Sequence, residues 1–328
     1  MYDVVTVGEG MLRLSPPHYE RLRRARTLDM HACGSQGNIA CNIAILGLKT
    51  AFVTTFPNNA LGLFMRDHYR SCGVDISYIK MIDGSRIGVN FIEFGATPRS
   101  SRVIYDRKNS AASTIAPGDF NWDEILKECR LAYTDGIFPG LSKGCRDAAM
   151  EFVDAAKRNG CILAFDVNYR EHLWPPEEAR SVQSEIIKNV DILVTTHWDS
   201  ETVFRYKGSY EDISRRFYEE FGCKIVAITL REIYDVQHGA WNTLILHEGK
   251  VIKGEKFDMD MIDRFGGGDS WASAFLYSYL TEGDVEYALN FGNAFCALHH
   301  TIHGDVAHVT PEEVKTIMGK SKDFRVKR

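Results

Sequence analysis

The sequence predicts an α/β fold, a mostly parallel sheet with helices on both faces and a small β lid, and three observations carry that prediction. Short apolar runs rich in β-branched residues recur along the chain, as strands buried on both faces do. Between them lie stretches with helical spacing, so strands joined by right-handed crossovers are expected. Two stretches in the N-terminal third break this alternation and read as strand pairs. The 328 residues exceed a typical domain but suit one large α/β unit. Residues 1–328 are therefore expected to form a single domain, with lid inserts at about 10–33 and 86–106.

Taken in order, Val4 to Val7, closed by Gly8, reads as a central strand. Comparable runs fall at 50–55, 131–134, 161–166, 191–195 and 224–230. Helical patterns fall at Asn38 to Leu46, Leu61 to Ser71, Trp122 to Cys129, Cys145 to Asn159, Pro176 to Lys188 and Tyr210 to Phe221. The inserted material is Leu12 to Cys33, with a basic cluster at Arg21, Arg23, Arg24 and Arg26, and Ile87 to Tyr105, where GVNFIEF and RVIY flank a turn at Pro98. Both interrupt the same third of the chain, so they are expected to pair into a separate sheet over the strand ends. Helices close the chain at Ser270 to Leu280, Glu286 to His300 and Pro311 to Met318. The last begins with Thr310-Pro311-Glu312-Glu313, which supplies an N-cap, a proline at N1 and first-turn acids.

Composition excludes several classes. Hydrophobic residues make up 45% and charged residues 25%, which rules out disorder as the main state. Lys plus Arg number 39 against 44 Asp plus Glu, a net charge of −5, so there is no basic surplus for a nucleic acid partner. Eight cysteines are scattered without a CxxC pair, mostly inside apolar runs, and suit buried thiols in a reducing cytoplasm. The N-terminus has no basic flank, and no run of the length a membrane span needs occurs, so neither membrane insertion nor export is expected.

The strongest local signal is Asp263-Arg264-Phe265-Gly266-Gly267-Gly268-Asp269-Ser270, followed by a helical pattern from Trp271. Three glycines allow positive φ and close approach of the backbone, and a helix start behind them aims unpaired N–H groups at one point, a seat for an anion. An Asp at a helix start is also simply a favoured N-cap. Beside a transferring phosphoryl group, however, a carboxylate can accept the proton of an attacking hydroxyl while the amides stabilise developing charge.

Residues 263–276 resemble the C-terminal signature of the ribokinase-like (PfkB) carbohydrate kinases, and Gly34-Ser35-Gln36-Gly37-Asn38-Ile39-Ala40, with Gly47 beyond it, is similar to their N-terminal signature. Within that family the likeness is greatest to 2-keto-3-deoxygluconate kinases, through VGEGMLRL at 7–14, VIYDRKNSAAS at 103–113, FDVNYREHLW at 165–174, ITLRE at 228–232 and TIHGD at 301–305. The resemblance runs from about residue 3 to 318. It implies a three-layer α/β/α sandwich and transfer of a phosphoryl group from ATP, with Mg²⁺, to a small sugar acid. Asp269 becomes the catalytic base, with Gly266, Gly267 and Gly268 forming the anion hole. Gly34, Asn38, Asn90, Tyr105, Arg107, Arg170 and Asp305 are implied on the sugar side. Asn168, Thr196, Thr229, Arg231, Gly266, Gly268 and Asn293 are implied on the ATP side. A guanidinium binds a carboxylate bidentately, so Arg107 and Arg170 fit an acidic sugar better than a neutral one.

The chain also departs from the family. Cys33 stands where a first glycine is usual, and Asn90 where many ketodeoxygluconate kinases carry a tyrosine. The family's Asn-x-x-Glu element falls at Thr196-His197-Trp198-Asp199, leaving Asp199 as an indirect metal contact. A kinase for a neutral sugar such as fructose or ribose, or a sugar-binding regulator of the same fold, stays open on these grounds. Gly8-Glu9-Gly10 is not a dinucleotide fingerprint, because Arg13 stands at the third glycine position and Glu9 would repel a pyrophosphate. No GxxxxGK[ST] loop occurs, and His299, His300 and His303 are read as partly exposed helix and turn residues in preference to a zinc set. The edges of the lid sheet could be covered by a second subunit.

Overall fold

Burial on both faces turns the β-branched runs into strands of one sheet, and the helical patterns into two layers that cover it. The structure, a computed structural model, describes residues 1–319. From the N-terminus the strands are β1 (Val4–Val7), β2 (Met11–Ser15), β3 (Asp29–Cys33), β4 (Thr50–Pro57), β5 (Ile79–Ile82), β6 (Gly88–Glu93) and β7 (Arg102–Asp106). There follow β8 (Leu131–Asp135), β9 (Ile162–Asp166), β10 (Ile192–Thr196), β11 (Ile225–Ile233), β12 (His238–His247), β13 (Lys250–Lys253) and β14 (Phe257–Asp260). The helices are α1 (Ser35–Ile45), α2 (Ala60–Ser71), α3 (Trp122–Ile125), α4 (Ile137–Gly140), α5 (Lys143–Arg158) and α6 (Pro176–Ile187). The remainder are α7 (His197–Phe204), α8 (Tyr210–Phe221), α9 (Gly267–Glu282), α10 (Val285–His300) and α11 (Pro311–Met318).

The main sheet has the order β13-β12-β11-β10-β9-β8-β1-β4-β5, with β14 paired to β12. From β11 to β5 every pairing is parallel, and β1 lies between β8 and β4 with Val4 opposite both Leu131 and Thr50. Alternate side chains of β1 serve opposite faces. Val5 and Val7 join a core with Phe152, Phe165 and Phe217, while Val4 joins one with Ile39, Trp271 and Phe275. Because the chain leaves β1 toward β4 on one side and later returns to β8 on the other, the strand order reverses there. Open α/β sheets leave a crevice beyond the carboxyl ends of the strands at such a point.

The two inserts pair as expected, into a separate four-stranded sheet of order β3-β2-β6-β7. β2 runs antiparallel to β3 and parallel to β6, with Arg13 opposite Asn90, and β6 runs antiparallel to β7 with Asn90 opposite Tyr105. Three differences from the sequence expectation have local causes. The helix expected over 122–129 ends at Ile125, and Glu128 takes a left-handed φ of 59° that stops it. The first helix begins at Ser35 because Gly34, at φ 131°, supplies its entry turn, and a Cβ there would lie 2.3 Å from the Glu9 carbonyl oxygen. Strands β12 to β14 add an antiparallel edge where no strand is expected from the sequence. All eight cysteines are buried and unpaired, and among the described residues no helix is long and apolar enough to cross a membrane.

One buried cation joins the lid to the main body. Arg13 of β2 is 1% exposed and pairs with both Asp263 and Asp305, its guanidinium between the rings of Phe94 and Phe265 at 5.2 and 5.3 Å from their centroids. Two carboxylates share this one cation in a dry setting, so removing it leaves a buried charge without a partner. Arg13→Met is therefore expected to cost about 3–5 kcal/mol of unfolding free energy. Urea denaturation checks this, and a loss below about 1 kcal/mol would refute it.

Candidate active site

The site forms where the first turn of α9 meets the first turn of α1 at the carboxyl edge of the sheet. Gly266 caps α9 in the left-handed region at φ 74°, and a Cβ on Gly267 would meet the His300 ring at 2.6 Å. A Cβ on Gly268 would meet nothing within 4 Å, so its backbone faces open space. The glycine run thus leaves the amides at the helix start uncovered, as anion binding needs.

Asp269 follows in the first turn of α9. Its carboxylate accepts from Ser35 Oγ at 2.8 Å and Asn38 Nδ2 at 2.7 Å, both on α1. Burial pushes the carboxyl up to about 6, against the lowering effect of those two donors. A base of that strength is ionised at neutral pH yet still basic enough to take a hydroxyl proton as the oxygen reacts.

Two cavities meet at this carboxylate. The smaller, about 110 Å³, is lined by Gly34, Asn38, Asn90, Tyr105, Arg107, Arg170 and Asp305, all seven residues implied on the sugar side. The larger, about 500 Å³, is lined by Asn168, Thr196, Asp199, Thr229, Arg231 and Gly266 to Asp269. Arg170 and Asp269 border both.

Asn293 is not brought to either cavity. It is fully buried on α10, where Oδ1 accepts from Trp271 Nε1 at 2.9 Å and Nδ2 donates to the Glu255 carbonyl at 2.9 Å. Helical periodicity does not tell which face of α10 this amide takes, and it braces α10 against α9 instead. His299 and His300 also differ from expectation. Both are fully buried, with His299 Nε2 2.7 Å from the Phe265 carbonyl and His300 Nδ1 2.7 Å from the Cys296 carbonyl. Burial holds both imidazoles neutral, so they serve as fixed packing behind the glycines.

On the sugar side the two arginines differ. Glu9 of the β1–β2 connection, 1% exposed, accepts from Arg107 Nε at 2.9 Å and also from Nη2, and takes the Ser110 hydroxyl. The Arg107 charge is thereby already compensated. Arg170 donates only to the Tyr169 carbonyl, at 3.0 Å, and forms no ion pair among the described residues. Asp305 is occupied by Arg13. Asn90 donates to Cys33 Sγ at 3.3 Å, while its Oδ1 is buried without a partner. Tyr105 stacks on His172 with ring centroids 4.4 Å apart.

In the larger cavity, carboxylates gather with no cation in direct ion-pair contact among the described residues. Asp166 ends β9, and burial together with the nearby charges of Asp199, Asp135 and Asp269 holds it well above the usual range. Asp199 stands at about 6, raised by burial and partly offset by Arg170; the Thr196 hydroxyl caps α7 and bonds its carboxylate at 2.9 Å. Mutually repelling carboxylates with a hydroxyl beside them are the oxygen donor set Mg²⁺ takes, so the site fits that ion. Arg231 of β11 reaches the Arg264 carbonyl at 3.1 Å with no carboxylate partner among the described residues, and burial beside Arg264 lowers it to about 10. A cationic cleft wall over bare helix amides fits a polyphosphate. Asn168, at φ 36°, ties Asp135 at 2.8 Å to Ser35 at 3.2 Å and so fixes the junction of the cavities.

Sequence reasoning did not single out Glu9, Arg13, Ser35 or Asp166 as site residues. Only Asp166 carried a signal, as a carboxylate at the end of a buried strand.

A phosphoryl-transfer site of this build belongs to a class of sugar-phosphorylating enzymes. The pfkB family carbohydrate kinase model matches residues 1–311, and the chain belongs to that family; it is a carbohydrate kinase. The sequence is 35% identical over 316 residues to a 2-dehydro-3-deoxygalactonokinase of Haloferax volcanii, covering 96% of each chain. It is 28% identical over 331 residues to a 5-dehydro-2-deoxygluconokinase of Clostridium perfringens, covering 98% of this chain and 94% of that one. The crystal structure of the 2-dehydro-3-deoxygluconokinase of Thermotoga maritima superposes with a TM-score of 0.94 at 35% identity, covering 96% of this chain and 98% of that chain.

Asp269→Asn keeps the shape of the side chain, with its Oδ1 still accepting from Asn38 and its Nδ2 donating to a Ser35 hydroxyl turned to accept, but removes the carboxylate, so kcat is expected to fall by about 10²–10⁴-fold with the sugar KM little changed. In the unaltered enzyme kcat/KM is expected to rise from acid pH and level off above about 6, as Asp269 loses its proton. Steady-state kinetics across pH read both, and full activity in the Asn variant would remove Asp269 from the mechanism.

Proposed function

We propose that this kinase transfers the γ-phosphoryl group of ATP to a hydroxyl of a 2-keto-3-deoxy sugar acid, with 2-keto-3-deoxygluconate the first choice. The observation that carries the proposal is Arg170, a guanidinium without an ion-pair partner that borders both cavities beside Asp269. A sugar acid presents a carboxylate to that guanidinium and a hydroxyl to Asp269, and a neutral sugar leaves the cation unmatched. The names of the similar enzymes, all acting on deoxy-keto sugar acids, support the same class.

In this scheme the hydroxyl proton passes to Asp269 as the sugar oxygen forms its bond to the γ-phosphorus and the bond to the β-bridging oxygen breaks, releasing ADP. The amides of Gly266 to Asp269 and the Arg231 guanidinium receive the charge that develops. Asp166 and Asp199 would hold Mg²⁺, directly or through water, and the ion would neutralise the phosphates. Thr229, Thr196 and Asn168 border the nucleotide. Arg107, already paired with Glu9, acts as a wall and a donor and leaves charge recognition to Arg170. The lid excludes water, so that ATP is not spent on hydrolysis.

The whole chain works as one unit in this scheme, in a reducing compartment that keeps its thiols free, with neither membrane nor nucleic acid as partner. The lid edges expose Met30 and Ile104, at 42% and 57%, which a second copy could cover. One observation favours a second substrate class. The unpartnered Asn90 Oδ1 is an acceptor that a sugar hydroxyl can satisfy and a carboxylate cannot, which keeps a neutral ketose in the test.

The test is a panel of sugar acids and neutral sugars with ATP and Mg²⁺, read by ADP release, for the unaltered enzyme and for Arg170→Glu. Reversing this charge is expected to raise KM for 2-keto-3-deoxygluconate by about 30-fold or more, with any weak turnover of fructose or ribose changed only a few-fold. A neutral sugar turned over best by the unaltered enzyme would overturn the proposal.

A further inference from the structure

Away from the active site, three side chains of metal-ligating type converge between α1 and α2. Cys41 lies in the middle of α1, His68 in the last turn of α2, and Cys72 is the residue that caps α2. His68 Nε2 is 4.0 Å from Cys41 Sγ and 3.9 Å from Cys72 Sγ, and all three ligand atoms lie within 4.8 Å of one another. Among the described residues this is the one set of three histidine, cysteine or carboxylate side chains so disposed. Zinc–sulfur and zinc–nitrogen bonds of about 2.3 and 2.05 Å at tetrahedral angles separate S from N by about 3.6 Å. The three atoms therefore outline one slightly expanded face of a zinc tetrahedron. We propose that Cys41, His68 and Cys72 form a zinc site whose fourth position a water molecule takes.

The surroundings suit that ion. Cys41 is fully buried, Cys72 is 6% exposed, and both sit in a core with Phe52, Met65 and Val74, where a charged group would be costly without compensation. Two thiolates and Zn²⁺ sum to zero charge. On binding, each thiol gives a proton to solvent as its sulfur bonds the metal, and His68 coordinates as neutral imidazole through Nε2. The half-buried His68 ring gives the metal a route from the surface.

The site has a structural role to play. Cys41 lies one turn beyond Asn38 on the helix that holds Asp269, so a metal at Cys41 would fasten that helix to α2 behind the active site. The sequence alone does not show the set, because Cys41 and the His68-x-x-x-Cys72 pair come together only in the fold.

The test uses the full chain, stripped of metal under reducing conditions and titrated with Co²⁺ as a spectroscopic probe. The expected result is one Co²⁺ per chain, with a thiolate-to-cobalt charge-transfer band in the near ultraviolet and the strong visible bands of tetrahedral cobalt. One equivalent of Zn²⁺ should displace it and raise the thermal midpoint by several degrees. The Mg²⁺ site proposed above holds no thiolate, so it cannot produce the charge-transfer band. Cys41→Ser and Cys72→Ser should each lower that band to about half or abolish it, with folding confirmed by circular dichroism. Absence of the band in the unaltered chain, its survival in both variants, or a Cys41–Cys72 disulfide that reforms without metal retention would overturn the assignment.

Discussion

The two hydrogen bonds from Ser35 and Asn38 to Asp269 are the constraint on which the rest of the site depends. They bring the start of α1 and the start of α9 to the same carboxylate. The glycine entries behind each helix, Gly34 at φ 131° and Gly266 at φ 74°, exist to let the backbone make that approach. The helices are then held apart from their polar ends by a shared apolar seam, in which Ile39 and Ile43 join Trp271 and Phe275. A general base, the role proposed for this carboxylate, needs a fixed position, and Asp269 is held by two donors of α1.

Charge around that base is divided between two walls. Asp135, Asp166 and Asp199 stand near the carboxyl ends of neighbouring strands, and burial together with their mutual repulsion raises Asp166 in particular. Arg170 and Arg231 face them without carboxylate partners, and Arg231 is lowered to about 10 by its burial. Both walls are strained electrostatically as they stand. In the binding mode proposed above, a metal nucleotide would relieve both at once, its cation against the aspartates and its phosphates against the arginines. Arg13 and Arg107 are different in kind, since their charges are already balanced by Asp263 with Asp305 and by Glu9. They shape the site without offering it a free charge.

The parallel strands were legible because burial on both faces leaves an unbroken apolar run, as at Val4–Val7 and Ile162–Asp166. The outer strands β13 and β14 were not, because they are short and carry charges, Lys250 and Lys253 on one and Asp258 and Asp260 on the other, that blur the pattern. The glycine run and Asp269 were legible as a local motif. What sequence could not show was pairing at long range: Arg13 lies 250 residues from Asp263 and 292 from Asp305. The same limit hides the pairing of Arg107, which lines the smaller cavity, with Glu9, 98 residues away. Asn293 shows the complementary limit, since a polar residue on a helix does not reveal whether its amide faces a ligand or a tryptophan.

The paired arginines also decide how the lid can move. Arg13 roots β2 beneath the Asp263 and Asp305 carboxylates, and Arg107, just past the end of β7, is fixed to Glu9. A sheet pinned at two corners cannot swing away as a rigid flap. The pins lie next to the strands that line the smaller cavity: Asn90 stands opposite Arg13, and Tyr105 opposite Asn90. The part of the lid nearest Asp269 is thus the part most firmly moored to the body.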